Sequence, residues 1–306
     1  MSYIKGDTIR ATDLNAFLAT VNGVYGIGNG NTGYGQTSLL SAVTAGDMIT
    51  SLQWTNLRAM ISTCATHQGT PITALMPSSV LAQGQTITAH ETNAPSSNAF
   101  DLDSYVSAIS TNRLTAATAA MSVIAGTTVT RGTAWPTAIT TTVDVVWSTE
   151  DQARYFFNSG GQIRLNFAHP TGTGALDTDW RSILVTKIGE VRFGAAGTTN
   201  SGSVAMTNNT MGFYNLTTSA QAILTGNDVG SGAYASNDVS ITAQVLNKTG
   251  TNGGNGTTVR FIILLTDQYS GPESVSSGTA VSFSAYKATT YLTGIATPTY
   301  TVQTPF

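Results

Sequence analysis

The residue types most often used in catalysis and metal binding are sparse in this chain. Its histidines, His67, His90 and His169, lie far apart, and none has a second ligand at the spacing of a metal motif such as H-x-x-x-H. Cys64 is the single cysteine among the 306 residues, which excludes an internal disulfide and a zinc site built from cysteines. We therefore expect no metal site, no bound cofactor and no catalytic residue.

Two close pairs of aspartates are further candidates for a cation site. Asp101 and Asp103 form one pair, and Asp177 and Asp179 form the other. Calcium takes about six to eight oxygen ligands, and neither pair lies in an EF-hand loop or a calcium-binding nonapeptide repeat. Each pair stands where a helix is expected to begin, and acidic side chains there bind free backbone N–H groups. The pattern predicts helix capping for both pairs.

A glycine-rich segment matches a nucleotide-binding motif in its letters. Residues 28–33 read Gly-Asn-Gly-Asn-Thr-Gly, which fits G-x-G-x-x-G. A dinucleotide site needs a hydrophobic strand before this motif and a helix directly after it, so that the phosphates meet the helix N-terminus. Here a helical stretch precedes the motif and Tyr34-Gly35-Gln36-Thr37 follows it. The context predicts a structural turn.

Hydrolytic and sugar-binding sites stay open as alternatives. No G-x-S-x-G elbow occurs, so a Ser-His-Asp site would have to assemble from distant residues. Sugar binding would use exposed aromatic rings, and several aromatic residues lie near predicted loops: Trp135, Tyr269, Tyr286 and Tyr291. The adjacent residues Tyr155, Phe156 and Phe157 are expected to belong to the core instead.

The chain is poor in charge. Only 9% of its residues are charged, about a third of the share usual in soluble domains. A net charge of −3 without any basic run argues against nucleic-acid binding, which needs clustered Lys and Arg. The longest apolar run, residues 261–265, is far below the roughly 20 residues that span a bilayer, so we expect no membrane insertion. No secretory signal is visible, which favours synthesis in a cytoplasm. This composition favours a protein that is built into an assembly over an enzyme.

The first 70 residues contain a weak duplication. Residues 6–17 align with residues 46–57. In each copy a Gly-Asp turn leads to an isoleucine, then to Ser or Thr in an N-cap position and to an apolar pair spaced i, i+3. The apolar pairs are Leu14 with Phe17 and Trp54 with Leu57. We expect two short helices, joined by a glycine-rich loop and packed as a pair.

A third helix is expected over residues 101–124, after a loop with a short strand in residues 71–100. Its first half carries an apolar stripe, and its second half is rich in alanine and runs to Ile124. Small residues favour close approach of another helix, either of this chain or of a sister subunit. The candidate residues of an assembly interface are Leu14, Phe17, Trp54, Leu57, Leu102, Val106 and Ile109.

From about residue 130 the hydrophobic pattern has a period of two residues, which indicates strands. The strand of residues 259–265 should be central and covered on both faces, because Ile262 and Leu264 make its second face apolar. Two short helices are expected, one after Thr149 and one over residues 176–188. Residues 250–256, Gly-Thr-Asn-Gly-Gly-Asn-Gly, predict a flexible hairpin tip.

These patterns predict a mainly β chain with an α-helical N-terminal part and a C-terminal antiparallel β-sandwich of jelly-roll type. The predicted parts are a helical docking module in residues 1–70, a linker with an alanine-rich helix in residues 71–130, and the sandwich in residues 131–306.

Three segments together resemble a known group of proteins. They are residues 28–36, which end in Gly-Tyr-Gly-Gln, residues 53–58 with the following His67-Gln68-Gly69-Thr70, and residues 153–164. The combination resembles uncharacterised, tail-fibre-like virion structural proteins of tailed bacteriophages, of the type found in cyanophages. The similarity extends over nearly the whole chain, through residues 212–217 and 282–286. The resemblance implies location in the virion and contact with other virion proteins, and it brings no catalytic residues.

Composition and resemblance together predict a non-enzymatic structural subunit of a tailed phage virion. We expect an appendage of the tail, baseplate or neck, fibre-like and docked through its N-terminal part. By analogy with phage fibres, we expect a homotrimer. The alternatives are an adhesin that binds host-surface glycans during host attachment and a capsid decoration protein. A depolymerase would need a carboxylate pair in a cleft, and usually a long repetitive β-helix.

Overall fold

The computed structural model describes residues 10–72, 102–171 and 174–306. These residues divide into two compact units. The helical unit comprises the chain up to Met121 together with residues 158–160 and 288–295. The sandwich unit comprises residues 122–157, 161–287 and 296–306. The end of the predicted linker, residues 122–130, therefore belongs to the sandwich.

Three α-helices form the helical unit, and their bounds are α1 Ala11–Tyr25, α2 Ser51–Gln68 and α3 Leu102–Thr111. The duplication is visible in this structure, because α1 and α2 begin at positions that the alignment makes equivalent. The N–H of Thr50, which precedes α2, donates to Gln53 Oε1 at 2.6 Å. Arg10 precedes α1 and makes no side-chain cap, so the predicted Ser or Thr cap is wrong for the first copy.

The core of the helical unit combines apolar packing with a buried polar link. Gln68 at the end of α2 donates from Nε2 to the Tyr34 hydroxyl at 2.7 Å and to Ile109 O at 2.8 Å. The Tyr34 hydroxyl donates in turn to Arg113 O at 2.8 Å. Burial raises the pKa of Tyr34, so its phenol stays protonated as a donor. The link joins α2, α3 and the segment after α1 within one core.

The predicted third helix is too long. Helix α3 ends at Thr111, and the last residues of the predicted helix, 121–124, begin a strand that runs from Met121 to Thr130. Six of these ten residues are β-branched, which disfavours a helix and suits a pleated sheet. The prediction for residues 71–100 falls outside the described residues, apart from residues 71 and 72.

The described residues form two five-stranded sheets in the sandwich, which confirms the predicted fold class. The strands are β1 Met121–Thr130, β2 Ala138–Val146, β3 Gln162–Ala168, β4 Val191–Phe193, β5 Thr198–Asn200, β6 Gln221–Gly226, β7 Asp238–Leu246, β8 Thr258–Thr266, β9 Ala280–Ala288 and β10 Thr299–Thr304. One sheet has the order β1-β9-β3-β4-β5, and the other has β10-β2-β8-β7-β6. Neighbouring strands are antiparallel.

Strand β8 is central in its sheet, between β2 and β7, as predicted. Its outer face is not fully covered, because Leu264 is 38% exposed. A polar cluster crosses the same sheet: Arg260 of β8 donates to both carboxylate oxygens of Asp144 on β2, at 2.7 and 2.8 Å. Gln303 of β10 donates to the same carboxylate at 2.9 Å, which links three strands through one acidic side chain.

Two helices accompany the sandwich, α4 Glu150–Asn158 and α5 Ala175–Arg181, and α5 continues as a π-helix over Ser182–Ile188. Thr149 Oγ1 accepts from Gln152 N at 3.1 Å, which confirms the predicted start of α4. Gly189, with φ of 67°, ends the π-helix where the sequence predicts a stop. Phe156 and Phe157 of α4 are fully buried, so the prediction that they belong to the core is confirmed.

Candidate functional site

The residues predicted for an assembly interface belong to the core of the helical unit. Six of them are buried within the single chain: Leu14, Phe17, Trp54, Leu57, Val106 and Ile109. The side chain of Leu102 lies outside the described ones. Because helices α1, α2 and α3 pack on one another, their apolar faces are consumed by the unit itself. We therefore reassign these six residues from interface to core.

The same unit exposes a different set of apolar side chains. Among the described residues, the four most exposed large apolar side chains all lie between residues 27 and 52, and we call them the N-terminal apolar set: Ile27, Leu39, Met48 and Leu52. Met48 is 83% exposed. The backbone of Leu39 is held near α2, because Asn56 Nδ2 donates to Leu39 O at 3.4 Å. The set is a candidate docking surface.

The alignment of the two repeats indicates that two members of this set occupy surface positions. Met48 and Leu52 align with Thr8 and Thr12 of the first copy. Thr12 is exposed in the structure, as Leu52 is. A position that is polar in one copy and apolar in the other points to a surface site whose apolar side chain has a use outside the core.

A cleft of about 630 Å³ lies beside the end of α1. Its walls include Asn22 and Gly23 of α1, the start of the glycine-rich loop and residues 35–38. Ile27 of the N-terminal apolar set lines the same cleft. Asn22 Oδ1 accepts from the hydroxyl of Ser38, so the two walls are tied together. The cleft gives the candidate docking surface a concave part.

The glycine-rich loop is a structural turn, as predicted. Gly28 and Gly33 have φ of 57° and 90°, a region that suits glycine. A Cβ on Gly28 would lie 2.4 Å from Thr32 O, so the backbone passes too close for any side chain. Asn158 Nδ2 lies 3.1, 2.9 and 3.0 Å from the carbonyl oxygens of Gly30, Thr32 and Gly33. The loop carbonyls therefore converge on an amide of the chain itself, whereas a phosphate site would present N–H groups.

A buried histidine network in the sandwich was not predicted. His169 Nδ1 lies 2.9 Å from Thr279 Oγ1, and His169 Nε2 lies 3.2 Å from Asp177 Oδ1. Trp135 Nε1 donates to Thr279 Oγ1 at 3.2 Å, and the Ser276 hydroxyl donates to Asp177 Oδ2 at 2.7 Å. The members come from distant parts of the chain, so only His169 with Asp177, eight residues apart, left any local signal in the sequence.

Donor and acceptor roles in this network follow from the indole. The indole N–H only donates, so Thr279 accepts it and directs its own proton to His169 Nδ1. His169 Nε2 then carries the proton and donates to the Asp177 carboxylate. Burial lowers the pKa of His169, which keeps the ring neutral, although the bond to Asp177 acts in the opposite direction. Thr279 and the His169 ring are fully buried, so this hydroxyl–imidazole–carboxylate chain holds segments together instead of facing a substrate.

The predicted capping by the second aspartate pair is wrong. Helix α5 follows Gly174, and Asp177 binds His169 and Ser276 instead of the free N–H groups of the helix. Oδ2 of Asp179 is buried and has no hydrogen-bond partner among the described residues. Asp101 and the side chain of Asp103 lie outside the described part of the chain.

The predicted hairpin tip surrounds one carboxylate, that of Glu150. Glu150, at the start of α4, accepts from the backbone N–H groups of Thr249, Gly250, Thr251 and Gly256 at 2.5 to 3.2 Å. The Thr249 hydroxyl donates to the same carboxylate at 2.7 Å. Burial alone would raise the pKa of Glu150, but these hydrogen bonds outweigh it and hold the pKa below its ordinary value. The sequence pattern does not reveal these hydrogen bonds, because Glu150 lies about a hundred residues before the loop.

Two tyrosines and several acids form a second surface feature on the sandwich. The rings of Tyr234 and Tyr269 are 4.8 Å apart and nearly perpendicular, and the Tyr234 hydroxyl donates to Glu273 Oε2 at 2.9 Å. The buried Oδ2 of Asp267 lacks a hydrogen-bond partner among the described residues. Burial, together with the charge of Asp179 and Glu273, raises the pKa of Asp267. We call Tyr234, Tyr269, Asp267 and Glu273 the tyrosine–acid cluster.

The other aromatic candidates for sugar binding are placed differently. Trp135 is buried in the histidine network and does not present its ring to a sugar. Tyr286 is covered by the guanidinium of Arg164, 3.8 Å from the ring centre. Tyr291 is 38% exposed. Among the three tyrosine candidates, Tyr269 packs against a second aromatic ring beside acidic groups.

Within the described ranges, no three His, Cys, Asp or Glu side chains group together as metal ligands. None of the helices described combines the length and the apolar character needed to cross a bilayer. Comparisons of the chain with protein-family models, with curated proteins and with solved structures found no match.

Proposed function

We propose that this protein is a non-enzymatic structural subunit of a tailed phage virion, docked through its N-terminal helical unit onto another protein of the tail, baseplate or neck. The observation that carries the proposal is the N-terminal apolar set, Ile27, Leu39, Met48 and Leu52. The sandwich fold, the low charge and the resemblance of three segments to virion proteins support it.

Exposed apolar side chains in one region of a polar chain favour a partner. Each buried leucine or methionine side chain gains roughly 1.5–3 kcal/mol over an exposed one. Four such side chains, of which Ile27 lines the cleft, would contribute a large part of the free energy of a specific contact. This contact depends little on charge, which suits a particle that meets varied salt after release.

Cryo-electron microscopy of the intact virion tests the location. We expect density for this chain on the tail, baseplate or neck, with residues 27–52 against a neighbouring protein. Density spread over the capsid lattice would favour the decoration protein instead. Absence of the chain from the particle would refute the proposal.

Substitution of the apolar set tests how the chain docks. The double variant Met48→Ser/Leu52→Ser should keep the fold, because both side chains are exposed, yet should enter particles at less than about a tenth of the wild-type level. The matched control, Val185→Ser/Leu264→Ser, removes two exposed apolar side chains from the sandwich unit. Equal incorporation of both variants, measured by mass spectrometry of purified virions, would contradict docking through the N-terminal unit.

The tyrosine–acid cluster favours a second candidate function, recognition of host-surface glycans. Aromatic faces and carboxylates are groups that contact the apolar and hydroxyl sides of a sugar. Tyr269→Ala in the full chain should abolish binding to host cells, whereas Tyr291→Ala, which removes another partly exposed ring, should not. Wild-type binding that both variants retain would exclude this site, and a wild-type chain that does not bind cells would exclude the function.

A further inference from the structure

The edges of the two sheets differ in how well they are protected. Among the described residues, the sheets end in β1, β5, β6 and β10. Strand β5 has only 3 residues, and the pairing of β6 shifts register between Ala222 and Leu224. Short edges and irregular pairing both hinder addition of another strand. Strand β1, with 10 residues, is the longest edge.

Strand β1 carries none of the side chains that usually block an edge. Its sequence, Met-Ser-Val-Ile-Ala-Gly-Thr-Thr-Val-Thr, contains no charged residue and no proline. Only Val129 is buried, and Val123 is 54% exposed. An edge strand presents alternate N–H and C=O groups outward, so a long, uncharged and β-branched edge is a template for another strand.

The exposed apolar side chain of β1, Val123, lies on the face that leads to the core. Met121, Val123 and Ala125 alternate along the strand with Ser122 and Ile124, and they share a face with the buried Val129. The core covers this face at Val129 but leaves Val123 open. A strand added at the edge would bring side chains beside Val123 and extend the covered face.

We propose that β1 is a self-association edge, which pairs antiparallel with β1 of a second copy of this chain and joins two five-stranded sheets into one. Self-pairing places a strand opposite itself, so any charge on β1 would meet a like charge near the symmetry axis. An edge strand that pairs with a copy of itself should therefore carry no charge, and β1 carries none. This inference goes beyond the proposed function and stands without it, because it concerns the purified chain alone.

The pleat limits the two-fold axis to one of two residues. Side chains alternate between faces, so the apolar face continues across the pair only if residues of the same parity lie opposite each other. In an antiparallel pair that overlaps most of β1, this condition places Ala125 or Gly126 at the axis. Val123 then faces Thr127 or Val129 of the second copy, and its exposed surface becomes covered.

Light scattering after size-exclusion chromatography of the full chain tests the pairing. We expect a mass of two chains at micromolar concentration. Val123→Lys should shift the chain to single copies and raise the dissociation constant on the order of tenfold or more, because the substitution enters the seam twice. Thr225→Lys, on the exposed side of edge strand β6, is the matched control and should leave the mass unchanged. Circular dichroism should report the same fold for all three proteins.

Cysteine cross-linking tests the register. With Ala125 at the axis, Ala125→Cys should form an interchain disulfide under mild oxidation. With Gly126 at the axis, the disulfide should form only when Thr127→Cys is added, because Ala125 then faces Thr127 of the second copy. Thr225→Cys should not cross-link in either case, and wild-type Cys64 is buried and should stay reduced. A single-chain mass at every concentration would overturn the inference, as would a mass unchanged by Val123→Lys. A mass of three chains would overturn two-fold pairing and favour the trimer expected by analogy with fibres. None of these outcomes depends on where the chain sits in a virion.

Discussion

Buried polar side chains in this protein are bound by groups far away in sequence. Glu150 gathers four backbone N–H groups of the loop after β7, and Asp177 joins His169 to Ser276. Residue types and local spacing predicted a flexible tip and a helix cap at these places. The cap was wrong, and the bonds of the tip to Glu150 were not predicted, because the partner of each group is set by the tertiary fold, which local patterns do not record.

Replacing the carboxylate of Glu150 should destabilise the sandwich. Glu150→Gln exchanges one acceptor oxygen for an NH₂ group that faces backbone donors, which should cost about 1–3 kcal/mol of unfolding free energy at pH 7. Urea denaturation measures the loss. Glu190→Gln is the control, because Glu190 pairs with Arg192 nearer the surface and should change stability by less than about 1 kcal/mol.

The difference in unfolding free energy between wild type and Glu150→Gln should depend on pH. The pKa of Glu150 is lower in the folded state than its ordinary value, so the carboxylate stabilises the fold fully above about pH 4.5. That contribution is lost as pH falls through the folded-state pKa. The difference in stability between wild type and Glu150→Gln should therefore shrink below about pH 4. A difference that does not vary with pH would contradict the role given to this carboxylate.

His169 should make the wild-type chain less stable in mild acid. Its pKa is below the ordinary value in the fold, so the unfolded chain takes up a proton first as pH falls below about 6.5. The unfolding free energy should be full above that pH and decline below it. His169→Gln should flatten this decline, with a remainder from His67, whose pKa is also lowered by burial. Equal pH slopes for variant and wild type would exclude His169 as the cause.

At the scale of elements, local sequence patterns predicted more than composition did. The start of α4, the end of the π-helix at Gly189 and the central place of β8 followed from caps, glycine and apolar alternation. The start of β1, residues 121–124, was assigned to a helix because Met121 and the alanines before it suited one. Its β-branched residues and its pairing beside β9 decided for a strand.

The glycine-rich turn after α1, residues 28–33, depends on the side-chain amide of Asn158. Asn158→Ala removes the donor that lies against three loop carbonyls, so the helical unit should lose about 1–3 kcal/mol of stability. Asn31→Ala, an exposed residue of the same loop, is the matched control and should change stability by less than about 0.5 kcal/mol. Urea denaturation, followed by far-ultraviolet circular dichroism, measures both. Similar effects of the two substitutions would mean that the glycines alone set the turn.

At the scale of the whole molecule, low charge is the property that follows most directly from the sequence. The apolar set of the helical unit and the uncharged edge β1 are both surfaces of this kind, and both rely on burial and backbone pairing. Their place on the surface was not predictable, because a sequence pattern marks apolar residues without saying which ones the core leaves uncovered. Hence six of the seven residues predicted for an interface lie in the core of the helical unit.

Assembly should therefore be nearly independent of salt. Between about 0.05 and 0.5 M sodium chloride, the Debye length falls severalfold and exposed ion pairs weaken. We expect the mass of the purified chain to stay constant and its melting temperature to move by less than about 2 °C. Light scattering and differential scanning calorimetry measure the two quantities. Dissociation at the higher salt would show that charged groups hold the copies together.

The loop that closes on Glu150 amounts to a receptor already occupied by a ligand from its own chain. Four N–H groups and a hydroxyl present a preformed cradle for a carboxylate, and α4 delivers that carboxylate by covalent attachment. Truncation to Glu150→Ala would empty the cradle without altering its backbone donors. Free formate or acetate, added at high concentration, should then occupy it and restore part of the lost stability, as a chemical complement to the missing side chain.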